Sequence, residues 1–469
     1  MKSKLSYLIP IGFVLIAATF KTTAWEPDLP AILYNYANIA LPQHFNNQAI
    51  QNLDNTPADN PITDSGATLG RVLFYDKELS LNRTIACASC HLQEFGFTDS
   101  AQFSLGFESG LTGRNSMGLS NARFYPNGQF FWDERALTLE HQVLMPIQDE
   151  VEMGMSLDSL ELRLQSIEYY PQLFQDAFAS PLVTRERISD ALAQFVRSMV
   201  SYQSPYDAGR AMVAPGPAPD SFPNFSALEN LGMQIFRDPA RGACITCHAT
   251  DMFVQVDARN NGLELVSVDS GLYAVTAQLN DVGKFKAPSL RNIGLGAPYM
   301  HDGRFQTLEE VVEHYNNGVQ AHPNLAPQLR QGGPGGPPNA APRVLNLTEM
   351  EKDALVAFMH TLTDTIFTTD PRWSDPFVFV NNTGLAERLV PIEANVYPNP
   401  TESKLLIETQ LTGFNPLNVQ ILDINGRILQ QYESMPAQTE IGLGELPHGT
   451  YLLRLVSLEG QSIQKIWKQ

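Results

Sequence analysis

The pentapeptides Cys87-Ala-Ser-Cys90-His91 and Cys244-Ile-Thr-Cys247-His248 decide how this chain is read. Between them they use all four cysteines of 469 residues. Each is a C-x-x-C-H, in which two thiols form thioethers to a porphyrin and the following histidine coordinates iron. A disulfide pair or a four-cysteine zinc site would leave His91 and His248 unexplained, and a thioredoxin-like C-x-x-C gives no reason for His to recur at one offset. Two covalent c-type haems are therefore expected. Cys87, Cys90, Cys244 and Cys247 are the attachment points, and His91 and His248 the iron ligands.

Covalent haem attachment takes place outside the cytoplasm, and the N-terminus agrees. Lys2 and Lys4 precede an apolar run from Leu5 to Phe20, and Thr22-Thr23-Ala24 supplies small residues for cleavage, so residues 1–24 read as a signal peptide. The run is short for a membrane span, and nothing later offers about 20 uninterrupted apolar residues. The mature protein is expected to be soluble or surface-attached, in the periplasm first and then at the cell surface or outside. With every cysteine committed to haem, no disulfide is expected. The net charge of −19 argues against nucleic acid and favours a cationic or neutral partner.

Composition divides the rest. Residues 60–210 carry the first haem motif and 224–375 the second, with the stiff connector Pro215-Gly216-Pro217-Ala218-Pro219 between them. Ile188, Leu192, Phe195, Val196 and Met199 recur at helical spacing after Thr184, and Ser226-x-x-Glu229, Thr307-x-x-Glu310 and Thr348-x-x-Glu351 read as capping boxes. This part is expected to be mostly α, interrupted by a surface loop over Gly332–Pro338 that holds neither helix nor strand. After about residue 375 apolar alternation takes over. Lys404–Glu408 and Val419–Ile424 read as strands, with Asn425-Gly426 and Glu459-Gly460 as hairpin turns, so 392–469 is expected to be a small all-β sandwich.

The opening Val396-Tyr-Pro-Asn-Pro400, the hairpin Asp423-Ile-Asn-Gly426 and the stretch Pro447-His-Gly-Thr-Tyr451 resemble the C-terminal sorting domain of cargo of the Bacteroidota type IX secretion system. That resemblance implies the type IX machinery as a partner. A generic carbohydrate-binding or adhesive sandwich is the plainer alternative.

A second resemblance covers residues from about 60 to 370. Leu69-Gly-Arg-Val-Leu-Phe-Tyr-Asp76 with Leu79-Ser80, then Arg114-Asn115, Trp132-Asp-Glu-Arg135 with Leu139-Glu140, and Pro298-Tyr-Met-His-Asp-Gly-Arg304, in this order, are similar to the bacterial di-haem cytochrome c peroxidase and MauG family. The resemblance implies two cytochrome c-like domains, the first peroxidatic and the second for electron transfer. The family's spacing from Trp132 makes Gln142, Pro146 and Glu152 the distal-pocket residues. Glu152 would be the acid/base group, Gln142 would hold peroxide, Pro146 would shape the loop and Trp132 would relay electrons. Taken singly, Glu152 is a solvated carboxylate and Trp132 a core residue; the joint spacing favours the other reading.

Many members carry a blocking His sixteen residues after the haem-ligating His. Here that position is Phe107, which cannot ligate iron, so the first haem is expected to be open without reductive activation. Fourteen residues beyond His301 many members place a Met ligand, and MauG-type proteins a Tyr. Here it is Tyr315, sharing a helical face with Leu308, Val311 and Val312, with Met300 and His314 as rival ligands. The resemblance also implies a calcium ion held by Asn115 and the carbonyls of Gly296 and Pro298.

Three functions follow in order. The first is an exported peroxidase that reduces hydrogen peroxide with electrons from a donor cytochrome or cupredoxin. The second is a MauG-like enzyme that uses peroxide to oxidise a protein or another large partner. The third is a non-catalytic electron-transfer cytochrome, which would need both irons six-coordinate and would have no use for Gln142 and Glu152. Oligomeric state is not legible.

Overall fold

Each haem motif is preceded by a helix that begins at a side-chain cap and carries Leu-Gly near its middle. Helix α1 (Asp64–Tyr75) is capped by Thr63, whose hydroxyl accepts from the Gly66 amide. The next helices that matter are α2 (Leu139–Gln148) and α3 (Arg185–Ser198), capped by Thr138 and Thr184. In the second half come α4 (Ala227–Arg237), α5 (Leu308–Glu313) and α6 (Glu349–His360), which open with the capping boxes at Ser226/Glu229, Thr307/Glu310 and Thr348/Glu351 expected from the sequence.

The computed structural model describes residues 24–125, 127–380, 390–392, 394–409, 417–424, 426–457 and 460–469. The signal-peptide run before Ala24 and the turn residues Asn425 and Glu459 lie outside the described residues. Contacts gather residues 26–378 into one compact unit and Phe379–Gln469 into another. Among the described residues no helix is long and apolar enough to cross a membrane.

Within residues 26–378, α1 crosses α3 at Gly70, where a Cβ would run into the carbonyl of Ala191. In the second half α4 crosses α6 at Gly232, where a Cβ would run into the carbonyl of Ala354. Two buried apolar clusters result, one holding Leu69, Leu73, Phe74, Leu192 and Phe195, the other Met233, Ile235, Phe236, Leu355 and Phe358. The first also takes in Tyr36, Phe45 and Ile50 from before residue 60, and Phe367 and Trp373 from the far end of the unit. Trp373 is 1% exposed and donates its indole N–H to Ser198 Oγ at 3.3 Å, while Tyr36 donates its hydroxyl to the Arg372 carbonyl at 2.6 Å.

The expectation of a mostly α architecture needs narrowing. Among the described residues between Tyr75 and Leu139, the helical elements are single 3-10 turns, including Cys87–Ser89. Those residues wrap a cavity, so their backbone follows the cavity's shape rather than a helical period. The Gly332–Pro338 loop likewise contains one 3-10 turn, Gly333–Gly335.

Among its described residues the C-terminal unit holds two sheets. Strands β1 (Val390–Pro391), β2 (Ala394–Tyr397), β3 (Lys404–Thr409), β4 (Leu417–Leu422), β5 (Ile428–Met435), β6 (Gln438–Gly442), β7 (Gly449–Val456) and β8 (Gly460–Lys468) arrange as β1-β8-β7-β4-β5 and β2-β3-β6. All pairings are antiparallel except the short β1/β8 pair. Leu405, Ile407, Val419, Ile421, Ile441, Leu453 and Leu455 fill the core between them, as alternation requires.

The crossings make a direct prediction. Gly70→Ala or Gly232→Ala should destabilise the holoprotein by about 1–3 kcal/mol, because backbone must shift to admit one methyl. Gly335→Ala, where nothing stands within 4 Å of the new Cβ, should be near neutral. Chemical denaturation followed by helical circular dichroism separates the two; equal effects at the three positions would contradict the crossing argument.

Candidate haem centres and the wall between them

His91 and Cys90 border a cavity of about 540 Å³. The His91 Nδ1 lies 2.9 Å from the Phe97 carbonyl, and in the second half the His248 Nδ1 lies 3.2 Å from the Phe253 carbonyl. A carbonyl can only accept, so in both rings Nδ1 carries the proton and Nε2 keeps its lone pair for a metal. Burial lowers both imidazoles, His248 to about 4, which holds them in the neutral ligand form. Burial also pushes the thiols up, Cys87 and Cys244 to about 12 and Cys90 to about 11. Among the described residues no three His, Cys, Asp or Glu side chains gather as a metal-only site would require. The donor set fits a tetrapyrrole in each half and not a zinc cluster.

Helix α2 carries one wall of the first cavity. Its cap Thr138 accepts from the His141 amide at 3.1 Å, and Leu139, Gln142 and Pro146 then fall on the cavity side. After the helix Asp149 accepts from the amides of Val151 at 2.8 Å and Glu152 at 3.1 Å, turning the chain so that Glu152 also borders the cavity. Burial raises the Glu152 carboxyl to about 7, the Asp149 charge adds to the rise, and Arg135 opposes it. Phe107 donates its amide to the Glu152 carbonyl at 3.1 Å, while its ring packs on Gly154. That ring is not part of the cavity lining.

Trp132 borders both cavities. Its indole N–H donates to the Asn115 carbonyl at 2.8 Å, and its ring meets His301 edge-on at 6.4 Å. His301 in turn stacks on Phe285 at 3.7 Å. The wall contains charges that the sequence reading did not single out. Arg114 bridges Asp133 at 2.6 Å and Asp269 at 2.7 Å, and Arg135 holds the other oxygen of Asp133 at 2.9 Å. Lys286 is buried, donates to the Gln129 carbonyl at 2.6 Å, lies 4.1 Å from the centre of the Tyr125 ring and has Glu134 at 3.7 Å; burial lowers it to about 8. Asp133 and Arg135 sit inside the quoted Trp132–Arg135 motif, whereas nothing in the sequence around Lys286 signals its burial.

Cys244, Cys247 and His248 border the second cavity, of about 240 Å³, together with Leu308, Val311, Val312 and Tyr315. Burial pushes the Tyr315 phenol up to about 12 against a hydrogen bond from the Asn261 side chain, and the nearby Cys247 and Cys244 thiols add to the rise. Met300 borders the same cavity with its sulfur 3.5 Å from Asn261 Nδ2. His314 does not border it; its Nε2 faces the Asn261 carbonyl at 3.1 Å. Asn115, Gly296 and Pro298 share this cavity's lining, and the Asn115 amide nitrogen also lies 3.2 Å from the carbonyls of Ala101 and Gln102.

Two buried haem-type sites sharing one tryptophan define a di-haem redox protein. A family profile described as di-haem cytochrome c peroxidase matches residues 64–211, and one described as a secretion system C-terminal sorting domain matches 395–469. The methylamine utilization protein MauG of Methylophilus methylotrophus is 30% identical over 353 residues, 74% of this chain and 94% of that one. A cytochrome-c peroxidase of Denitromonas iodatirespirans is 30% identical over 348 residues, 67% of this chain and 86% of that one. The crystal structure of a MauG-like protein associated with microbial copper homeostasis superposes with a TM-score of 0.60 at 32% identity, covering 72% of this chain and 99% of the other. The chain belongs to the di-haem cytochrome c peroxidase and MauG family, and its C-terminal sorting domain marks it for export through the type IX system to the cell surface or beyond.

Mass spectrometry of the denatured holoprotein should show the polypeptide plus two haems. Replacing Cys244 and Cys247 together by Ala should leave one, and a wild-type mass without both would contradict the assignment.

Proposed function

We propose that this protein is an exported di-haem peroxidase that reduces hydrogen peroxide to water in its first half, residues 60–210, with electrons delivered through its second, residues 224–375. The observation that carries this reading is the first cavity's lining: Gln142, Pro146 and Glu152 border it, and Phe107 does not. The first haem, held by Cys87, Cys90 and His91, would supply the iron at which the peroxide O–O bond breaks. The protein's own part is proton transfer and positioning.

Glu152, raised to about 7, is close to evenly ionised at neutral pH. Its carboxylate would take the proton from one peroxide oxygen and, as the acid, return it to the other, which leaves as water; the remaining oxygen would leave as a second water with two protons from solvent and the two electrons delivered through the second half. Gln142 offers an amide for hydrogen bonding to the peroxide or to water. Trp132 is the conduit between the halves. Tyr315 would complete the second centre with Cys244, Cys247 and His248, and a phenolate there would favour ferric iron. Asn115 with the Gly296 and Pro298 carbonyls would hold calcium, for which oxygen donors are suited.

Tyr315 also supports a second reading, a MauG-like enzyme that uses peroxide to oxidise a protein or other large partner. A non-catalytic electron carrier gains nothing from an acid/base group beside an open cavity. The donor would be a small cytochrome or cupredoxin met in the periplasm or at the surface.

Glu152→Gln should keep both haems and slow the peroxide reaction by about 10² to 10⁴. In the wild type, where proton abstraction needs the carboxylate, the rate should rise as pH passes through about 7, and the substitution should flatten that rise. Stopped-flow spectroscopy across pH 5–9 measures both, and an unchanged rate in the variant would remove Glu152 from the mechanism. Ending the chain at Val378 should retain haem loading and peroxide turnover while holding the protein in the periplasm of its host. Surface delivery of the shortened chain would contradict the assignment of the β module as an address.

A further inference from the structure

The two cavity walls are copies of one unit. Phe130-Phe-Trp-Asp-Glu-Arg-Ala-Leu-Thr-Leu-Glu140 and Tyr299-Met-His-Asp-Gly-Arg-Phe-Gln-Thr-Leu-Glu309 share Asp, Arg, Thr, Leu and Glu in register. The backbone repeats with them. Phe130 bridges Ala136 as Tyr299 bridges Phe305, Phe131 and Met300 have φ of 68° and 75°, and Glu134 and Gly303 have φ of 57° and 63°. Arg135 returns to Asp133 at 2.9 Å as Arg304 returns to Asp302 at 2.7 Å. Thr138 then caps α2 through the His141 amide at 3.1 Å, and Thr307 caps α5 through the Glu310 amide at 3.2 Å.

Counting from those caps aligns the residues that face each cavity. One, four and eight positions after Thr138 stand Leu139, Gln142 and Pro146, all bordering the first cavity. The same steps from Thr307 reach Leu308, Val311 and Tyr315, all bordering the second. Pro146 and Tyr315 are therefore counterparts, and each is reached along a helical face that looks into its own cavity. The halves differ in how the helix ends there. Pro146 lies inside α2, whereas Tyr315 lies in a π-helical turn, His314–Gly318, that follows α5.

We propose that positions 146 and 315 are one axial slot of a duplicated unit, and that the side chain in this slot decides whether the iron of each half is open. A pyrrolidine ring has no donor atom, so Pro146 keeps the first centre open, whereas the phenol of Tyr315 fills the slot in the second. Openness of the first centre thus has a cause at position 146 as well as at Phe107. The inference rests on the reading above of an open first haem and a Tyr315-ligated second one.

The test uses the holoprotein carrying Pro146→Tyr. Electron paramagnetic resonance of the untreated ferric protein should show the high-spin signal of the first haem replaced by a low-spin one, and cyanide binding should be lost or slowed at least tenfold. Pro146→His carries the same expectation should the tyrosine variant fail to load two haems, and Tyr315→Pro should do the reverse, creating a second high-spin, cyanide-binding centre. A two-haem Pro146→Tyr or Pro146→His protein that stays high-spin and binds cyanide as the wild type does would overturn the slot while leaving the open first haem intact. A wild type that is wholly low-spin and ignores cyanide would instead overturn the functional reading, and the slot with it.

Discussion

Close approach of two helix backbones at a glycine governs the arrangement in each half. At Gly70 and again at Gly232 the partner carbonyl occupies the space a side chain would need, so each helix pair meets at a shorter distance than branched residues permit. That closeness lets one aromatic ring from each helix pack against the other: Phe74 meets Phe195 at 5.4 Å, and Phe236 meets Phe358 at 5.2 Å. The aromatic layer continues to the haem motifs. Phe74 lies 6.5 Å from the His91 ring and 6.0 Å from Phe97, whose carbonyl sets the His91 tautomer, and Phe236 lies 5.8 Å from Phe253, whose carbonyl sets that of His248. Ligand chemistry in each half therefore depends on helix packing on the far side of the motif, since a shifted Phe97 or Phe253 carbonyl would free the ring to turn.

Local physics explains what the sequence disclosed. C-x-x-C-H is a contiguous reaction site, and Thr and Ser caps with Glu three residues on satisfy helix amides within a single turn, so each can be recognised without knowing its neighbours. The alternation of Leu405 and Ile407, and of Val419 and Ile421, is equally local, and these residues do fill the sandwich core. Burial of Trp373 against Ser198, or of Tyr36 against Arg372, depends on segments far apart in the chain meeting again, and no local period announces it. Lys286 is the sharpest case. A lone lysine in a loop reads as solvated, yet here it is enclosed by Gln129, Tyr125 and Glu134 from the other half. The repeat behind the two cavity walls was present in the sequence but diluted to five shared residues in eleven, and only the matching backbone signs and bridges make its register plain.

The wall between the cavities shows what the duplication accomplishes. Trp132 and His301 occupy equivalent places in the two copies, and each is fastened by its backbone to the opposite half. The Trp132 carbonyl accepts from the Lys286 amide at 2.8 Å, and the His301 carbonyl accepts from the Asn115 amide at 2.8 Å. The Trp132 indole then donates to the carbonyl of that same Asn115. Three hydrogen bonds thus tie two aromatic rings into one cross-linked strip, and the buried Asp133 carboxylate, held between the partly exposed Arg114 and Arg135, braces its edge. Electron transfer between fixed centres requires that the intervening groups not wander, and a strip anchored alternately from both halves cannot move in one half without breaking a bond to the other. Under the proposed function, the separation of the redox centres would be set by the pairing of the halves, while reactivity at each centre would be left to the residues its own copy of the unit presents.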